Sequence, residues 1–147
     1  MINFKIYNNV SKPSEEEKEV IVDFLYTHLE EFGDEKEAIL KCLNFAINDS
    51  KIGLGGFILV LKDENEPLGI TIVNKTGMED YIPENILVYI AVHSKARGKG
   101  IGKKLMQKAI ETAEGDIALH VEPNNPAKFL YEKLGFENKY LEMRLKK

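Results

Sequence analysis

A single cysteine in 147 residues excludes an internal disulfide framework, and no cysteine and histidine cluster offers metal ligands. Cys42 falls at helical spacing among Ile39, Leu43, Ala46 and Ile47, which reads as a buried structural thiol rather than a nucleophile. No apolar run approaches the roughly 20 residues of a membrane span, and Met1 to Tyr7 alternates without a signal-peptide pattern. A cytoplasmic protein is the expectation. Positive charge is also in deficit: the net charge of −4 argues against nucleic acid or an anionic membrane as partner, because both reward a basic face. Repeats, linkers and low-complexity segments are missing too, and the length suits one domain over 1–147 with one hydrophobic core.

What is present divides into regular elements. Ile2, Phe4 and Ile6 alternate as a strand. Ser14 with Glu17 makes a capping box for a helix carrying Ile21, Phe24, Leu25, Leu29 and Phe32 on one face and stopped by Gly33. Asp34 with Glu37 starts a second helix in the same way, running to about Ile47. Phe57 to Lys62 and Leu68 to Val73 pair as a hairpin across the turn formers Asp63 to Pro67, and Ile86 to Val92 reads as a central strand buried on both faces. A helix then carries Ile101, Leu105, Ala109, Ile110 and Ala113 and ends near Gly115. Ile117 to Val121 is a short strand, Asn125-Pro126 starts a last helix that Gly135 stops, and the alternation in Lys139 to Lys147 predicts a final strand closing the sheet. The order predicts a mixed α/β (α+β) fold, a mainly antiparallel central sheet flanked by helices, containing one right-handed crossover unit.

Between the buried strand and the helix stands Arg97-Gly98-Lys99-Gly100-Ile101-Gly102. A helix N-terminus has backbone N–H groups without internal partners and a positive dipole end, so this loop reads as an anion site. Its glycines let a diphosphate approach the backbone closely. A Walker loop is excluded, since G-x-x-x-x-G-K needs a following Ser or Thr and Lys103-Lys104 stand here. A dinucleotide fingerprint is excluded because it needs glycine where Lys103 stands.

Ile90-Ala91-Val92 followed by Arg97 to Gly102 resembles the Q/R-x-x-G-x-G/A signature of the GNAT superfamily of N-acetyltransferases. A second segment, Asn124-x-x-Ala127-x-x-x-Tyr131 through Gly135-Phe136, is similar to that family's N-x-x-A-x-x-x-Y-x-x-x-G-F segment, and the two motifs come in the family's order. The resemblance implies acetyl-coenzyme A as cosubstrate, with no metal. It implies a bulge in the strand at Ile90 to Val92 that splays it from the next strand and opens a cleft. Backbone groups of Ile90, Ala91 and Val92 would bond the pantetheine arm there, and Arg97, Gly98, Lys99, Gly100, Ile101, Gly102 and Lys103 would hold the pyrophosphate. Asn124 matches the coenzyme-contacting asparagine by motif spacing, while Asn125 is the better helix cap before Pro126.

An amine attacking a thioester must lose a proton, its developing oxyanion must be stabilised, and the thiolate must leave. The resemblance assigns the leaving thiolate to the Tyr131 phenol. A backbone N–H around Ile90 to Val92 serves the oxyanion. For the base, His120 lies near a carboxylate position of the family, with Glu122, His93 or a water relay as alternatives. The acceptor pocket of such a fold is built by the first two helices and the loop from Lys75 to Asn85, where Glu30, Glu31, Asp34, Glu79 and Asp80 would attract a cationic amine, whether small molecule or peptide. A longer acyl donor, and a coenzyme-sensing domain without catalysis, are the competing readings.

Overall fold

In the computed structural model, residues 1–50 and 53–147 are described. The chain forms β1 (Ile2–Tyr7), α1 (Glu15–Leu29), α2 (Lys36–Ala46), β2 (Gly56–Asp63), β3 (Glu66–Lys75), β4 (Asn85–Val92), α3 (Ile101–Thr112), β5 (Ile117–Leu119) and α4 (Lys128–Lys133). The strands make one sheet in the order β1-β2-β3-β4-β5. Its first four strands are antiparallel, and β5 runs parallel to β4 across the α3 crossover.

Strand periodicity sorts the core. On β2, Ile58 and Val60 pack with α1 and α2 residues such as Leu25, Ile39 and Leu43. Phe57, Leu59 and Leu61 point the other way, onto α3 through Ile101, Leu105 and Met106. Both faces are covered, so β2 and β3 read as continuous apolar runs. Gly69 on β3 lets α3 sit down on the sheet: a Cβ there would lie 2.5 Å from Leu105 Cδ1 and 3.0 Å from Ile101 Cγ2. This close seat fixes where the N-terminus of α3 points.

The α1 capping box forms as expected, with the Ser14 hydroxyl accepting from Glu17 N–H at 3.1 Å and the Glu17 carboxylate accepting from Ser14 N–H at 2.9 Å. The start of α2 differs from the sequence reading. Glu35 occupies the cap position, and Asp34 turns its carboxylate to the Tyr89 hydroxyl at 2.5 Å instead. Ile110 is 42% exposed rather than part of the buried face of α3.

The tail is a larger correction. Residues 139–147 form no strand, and Leu141, Met143 and Leu145 are 83%, 91% and 84% exposed. Alternation supplies only local propensity, and a strand also needs an edge to pair with. β5 spans three residues, shorter than the expected Ile117 to Val121, and offers too little edge for such a tail. Among the described residues no helix is long and apolar enough to cross a membrane.

Candidate active site

The site begins with a change of phase in β4. Asn85 N–H donates toward β5, to the Asp116 carbonyl at 3.1 Å, whereas His93 N–H donates toward β3, to the Leu68 carbonyl at 2.8 Å. Backbone groups alternate between strand edges with period two, so these two odd-numbered residues can face opposite edges only if one residue is inserted between them. Val88 is that residue: Ile72 pairs with Tyr89 and Val73 with Leu87, leaving Val88 unpaired. The bulge thus falls at Val88, earlier than the expected Ile90 to Val92, because the hairpin register with β3 places it there.

Beyond the bulge, Ala91 faces β3 like His93, while Ile90 and Val92 present N–H and C=O to the opposite edge. β5 pairs only with Asn85, Ile86 and Leu87, so among the described residues that edge has no strand against it. Past Leu87 the pairing with β5 ends, which leaves the backbone donors and acceptors of Ile90 and Val92 without a strand partner among the described residues.

That edge runs into the anion loop. A short 3-10 turn, Ser94–Ala96, leads to Arg97, and Gly100 is the N-cap of α3. Gly98 and Gly100 have φ of 79° and 76°, backbone that L side chains rarely adopt, and a Cβ at either would meet nothing within 4 Å. The glycines therefore relieve no internal crowding and leave an open cradle. The first intrahelical bond runs from Lys104 N–H to the Gly100 carbonyl, which leaves the N–H groups of Ile101, Gly102 and Lys103 free of helical acceptors. Lys95, Lys99, Lys103 and Lys104 are exposed around this end, and the first turn of α3 holds no acidic residue. Oriented amides and a positive dipole end, with exposed lysines close in sequence, have the chemistry of a site for a diphosphate.

Arg97, expected with the loop that holds the pyrophosphate, makes its side-chain contacts in this structure with the end of α1. Its guanidinium points back to the end of α1, donating to the His28 carbonyl at 2.9 Å and pairing with the Glu30 carboxylate at 3.1 Å. His28 Nδ1 accepts from Ser94 N–H at 3.3 Å, and its ring lies 4.2 Å from that of His93, whose Nδ1 accepts from Lys95 N–H at 3.1 Å. Phe24 closes the stack at 4.5 Å from His28. Glu30 holds φ 55° and ψ −126°, a conformation costing a residue with a Cβ about 1–3 kcal/mol. Nothing in the sequence pairs the end of α1 with this loop, so the network had no local signal beyond the histidines themselves.

Burial, with His93 and Arg97 adding to it and Glu30 opposing, pulls the His28 pKa below its ordinary value. A histidine depressed on folding contributes stability that is present above its unfolded value of about 6.5 and is lost as pH falls through the folded value. The melting temperature should therefore decline between pH 7.5 and pH 5 more steeply in the wild type than in His28→Asn. Parallel curves would remove His28 from the acid sensitivity of the fold.

Tyr131 on α4 is 7% exposed, with its ring edge-on to Phe136 at 6.1 Å. Burial alone pushes its phenol up to about 12, and no protein partner for the hydroxyl is found among the described residues. Asn125 takes the turn role, its Oδ1 accepting from Ala127 N–H at 2.9 Å, while Asn124 is exposed beside it. His120 is exposed just past β5, and Glu122 is exposed with its carbonyl accepting from Asn125 N–H. The Nδ1 of His93 is already occupied, which leaves that ring no free lone pair for an incoming proton while neutral. Cys42 is buried and its thiol is pushed up to about 12 by that burial, as a structural residue should be.

A family model described as an acetyltransferase (GNAT) domain matches residues 55–138, more than half of the chain. The chain is 38% identical over 55 residues to the cysteine-rich protein 2-binding protein of Mus musculus, a stretch covering 37% of this chain and 7% of that protein. It therefore spans under a tenth of the length of the curated relative it matches. Among solved structures it is similar to a GNAT family acetyltransferase of Streptococcus pneumoniae TIGR4, with a TM-score of 0.70, 18% identity, and coverage of 100% and 98% of the two chains. An aminoglycoside N-acetyltransferase in complex with CoA aligns with a TM-score of 0.68 and 14% identity over 100% and 96%. The NatC complex bound to Gag peptide and CoA aligns with a TM-score of 0.70 and 24% identity over 92% and 84%. At these identities the structural likeness is one of fold.

Proposed function

The chain belongs to the GNAT acetyltransferase family, and on that premise we propose that it transfers an acetyl group from acetyl-CoA to a primary amine by direct attack on the thioester. One observation carries the reading: the free edge at Ile90 and Val92 is followed, after a single 3-10 turn at Ser94–Ala96, by the open glycine cradle at the N-terminus of α3. Bound along that line, acetyl-CoA supplies a thioester-activated acetyl group. The amides of Gly98 to Lys103 hold its pyrophosphate, with Lys99 and Lys103 balancing the charge, and Asn124 adds a side-chain contact. The groups of Ile90 and Val92 take the amides of the pantetheine arm, in the manner of an added strand.

Each chemical demand then has a candidate within this chain. A backbone N–H in the segment Ile90 to Val92 donates to the developing oxyanion. The Tyr131 phenol donates to the departing sulfur. His120 takes the proton from the attacking amine, and His93 is the weaker choice because its acceptor nitrogen is spent on Lys95. On the acceptor side, Asp34 keeps an exposed carboxylate fixed on one oxygen by Tyr89 and free on the other, suited to drawing in an ammonium group. The neighbours that act on an aminoglycoside or hold a peptide with CoA support a small-molecule or peptide amine.

The test is thiol release from acetyl-CoA across polyamines, aminoglycosides, amino acids and peptides, read as a function of pH. At least one amine class should drive release well above background hydrolysis, and His120→Ala should flatten the rise of that rate with pH. Binding of coenzyme A without release for any amine would favour a coenzyme-sensing domain. An unaltered pH profile in His120→Ala would return the base to Glu122 or a water relay.

A further inference from the structure

The corner between α1 and α2 is fastened to β4 and the anion loop on both sides of the free segment. At one end Asp34 accepts from the Tyr89 hydroxyl, next to the Val88 bulge. At the other, Glu30 and the His28 carbonyl hold the Arg97 guanidinium, and His28 Nδ1 holds the Ser94 amide. Between the two fastenings lie Ile90 and Val92, and directly after the second lies the glycine cradle. Glu30 reaches its position with a positive φ that costs strain, and such backbone persists where the surroundings over-determine it.

We propose that this corner is a clamp that positions the donor-binding loop, with Glu30 as the positioning residue that holds Arg97 away from the cradle and fixes where Gly98 to Gly102 begin. The inference rests on coenzyme A occupying that cradle. An anion site built from backbone amides binds well only if the amides are already aimed, and every bond that fixes residues 94–97 lowers the ordering cost at binding. Arg97 here acts as an anchor for the loop rather than as a direct phosphate ligand. The groups facing the clamp are His28 and Glu30 from α1 and the turn after it, His93 from the end of β4, and Arg97 from the loop.

Glu30→Gly separates positioning from simple stability. Glycine adopts the positive φ without strain, so the melting temperature of the free protein should stay level or rise, while the clamp loses its carboxylate. A pair about half exposed on each side is a modest interaction, so the Kd for coenzyme A by calorimetry and the KM for acetyl-CoA should rise about two- to fivefold. At saturating amine the turnover number should stay within about twofold, because the Glu30 carboxylate is turned to Arg97 and any part it has in attracting the amine would appear in the KM for the amine. Glu30→Gln, which keeps an acceptor oxygen for the guanidinium, should fall between wild type and Glu30→Gly. Equal or tighter coenzyme binding in Glu30→Gly would overturn the clamp, since a freed Arg97 would then be serving the phosphate itself. A parallel loss of melting temperature and affinity would also overturn it, reducing Glu30 to a structural residue. Failure of the wild type to bind coenzyme A would strike the underlying reading instead.

Discussion

Tyr131→Phe should lower the turnover number by about 10² to 10⁴ while leaving the fold and the KM for acetyl-CoA nearly intact. The substitution removes one oxygen from a side chain that is 7% exposed and keeps the ring against Phe136. That oxygen has no protein partner among the described residues, so its removal strands no donor or acceptor. With the phenol at about 12 and a thiol near roughly 8.5, full proton transfer to the leaving sulfur is uphill by about 5 kcal/mol. Tyr131 therefore helps by donating a hydrogen bond rather than by surrendering its proton, and the defect belongs at the lower end of that range. Thioesters with more acidic thiols need less help, so the ratio of wild-type to variant turnover should shrink along such a series. A ratio that stays constant would remove Tyr131 from the leaving-group step, and a loss of coenzyme binding would make it a packing residue.

Gly100→Leu should abolish the stabilisation that coenzyme A gives the wild type. At a hundredfold excess over its dissociation constant a ligand stabilises by about 2.7 kcal/mol, a shift on the order of 10 °C for a domain of this size. The added side chain meets nothing within 4 Å, so the free protein carries only the backbone strain of φ 76°, about 1–2 kcal/mol. The space it enters is the open cradle where a diphosphate would approach the amides. Differential scanning fluorimetry with and without coenzyme A reads both effects in one experiment. A folded variant that keeps the full shift would move the pyrophosphate away from this loop.

The sequence by itself was sufficient for the features that depend on neighbours a few positions apart. The Ser14 and Glu17 capping box, the hairpin of β2 and β3, and the step from strand through glycine loop to amphipathic helix are all written in local spacing, and all of them form. Ile86 to Val92, read as buried on both faces, instead alternates, with Val88 37% exposed at the bulge and Ile86, Ile90 and Val92 half-buried. Local spacing also marked Cys42 as a buried thiol. Tertiary structure decided what depends on partners far along the chain. Whether the bulge falls at Val88 or two residues later is a matter of register against β3, which either sequence position would tolerate. Asp34 has the composition of a helix cap but gives its carboxylate to Tyr89, because the sheet brings a buried phenol within 2.5 Å. The contacts of Arg97 with His28 and Glu30 join residues far apart along the chain and could not be read locally, and the alternating tail remains unpaired for want of a long enough edge. Periodicity and capping act within one or two turns of chain and are legible residue by residue. The choice among several competent partners is made only when the packed sheet sets the distances between them.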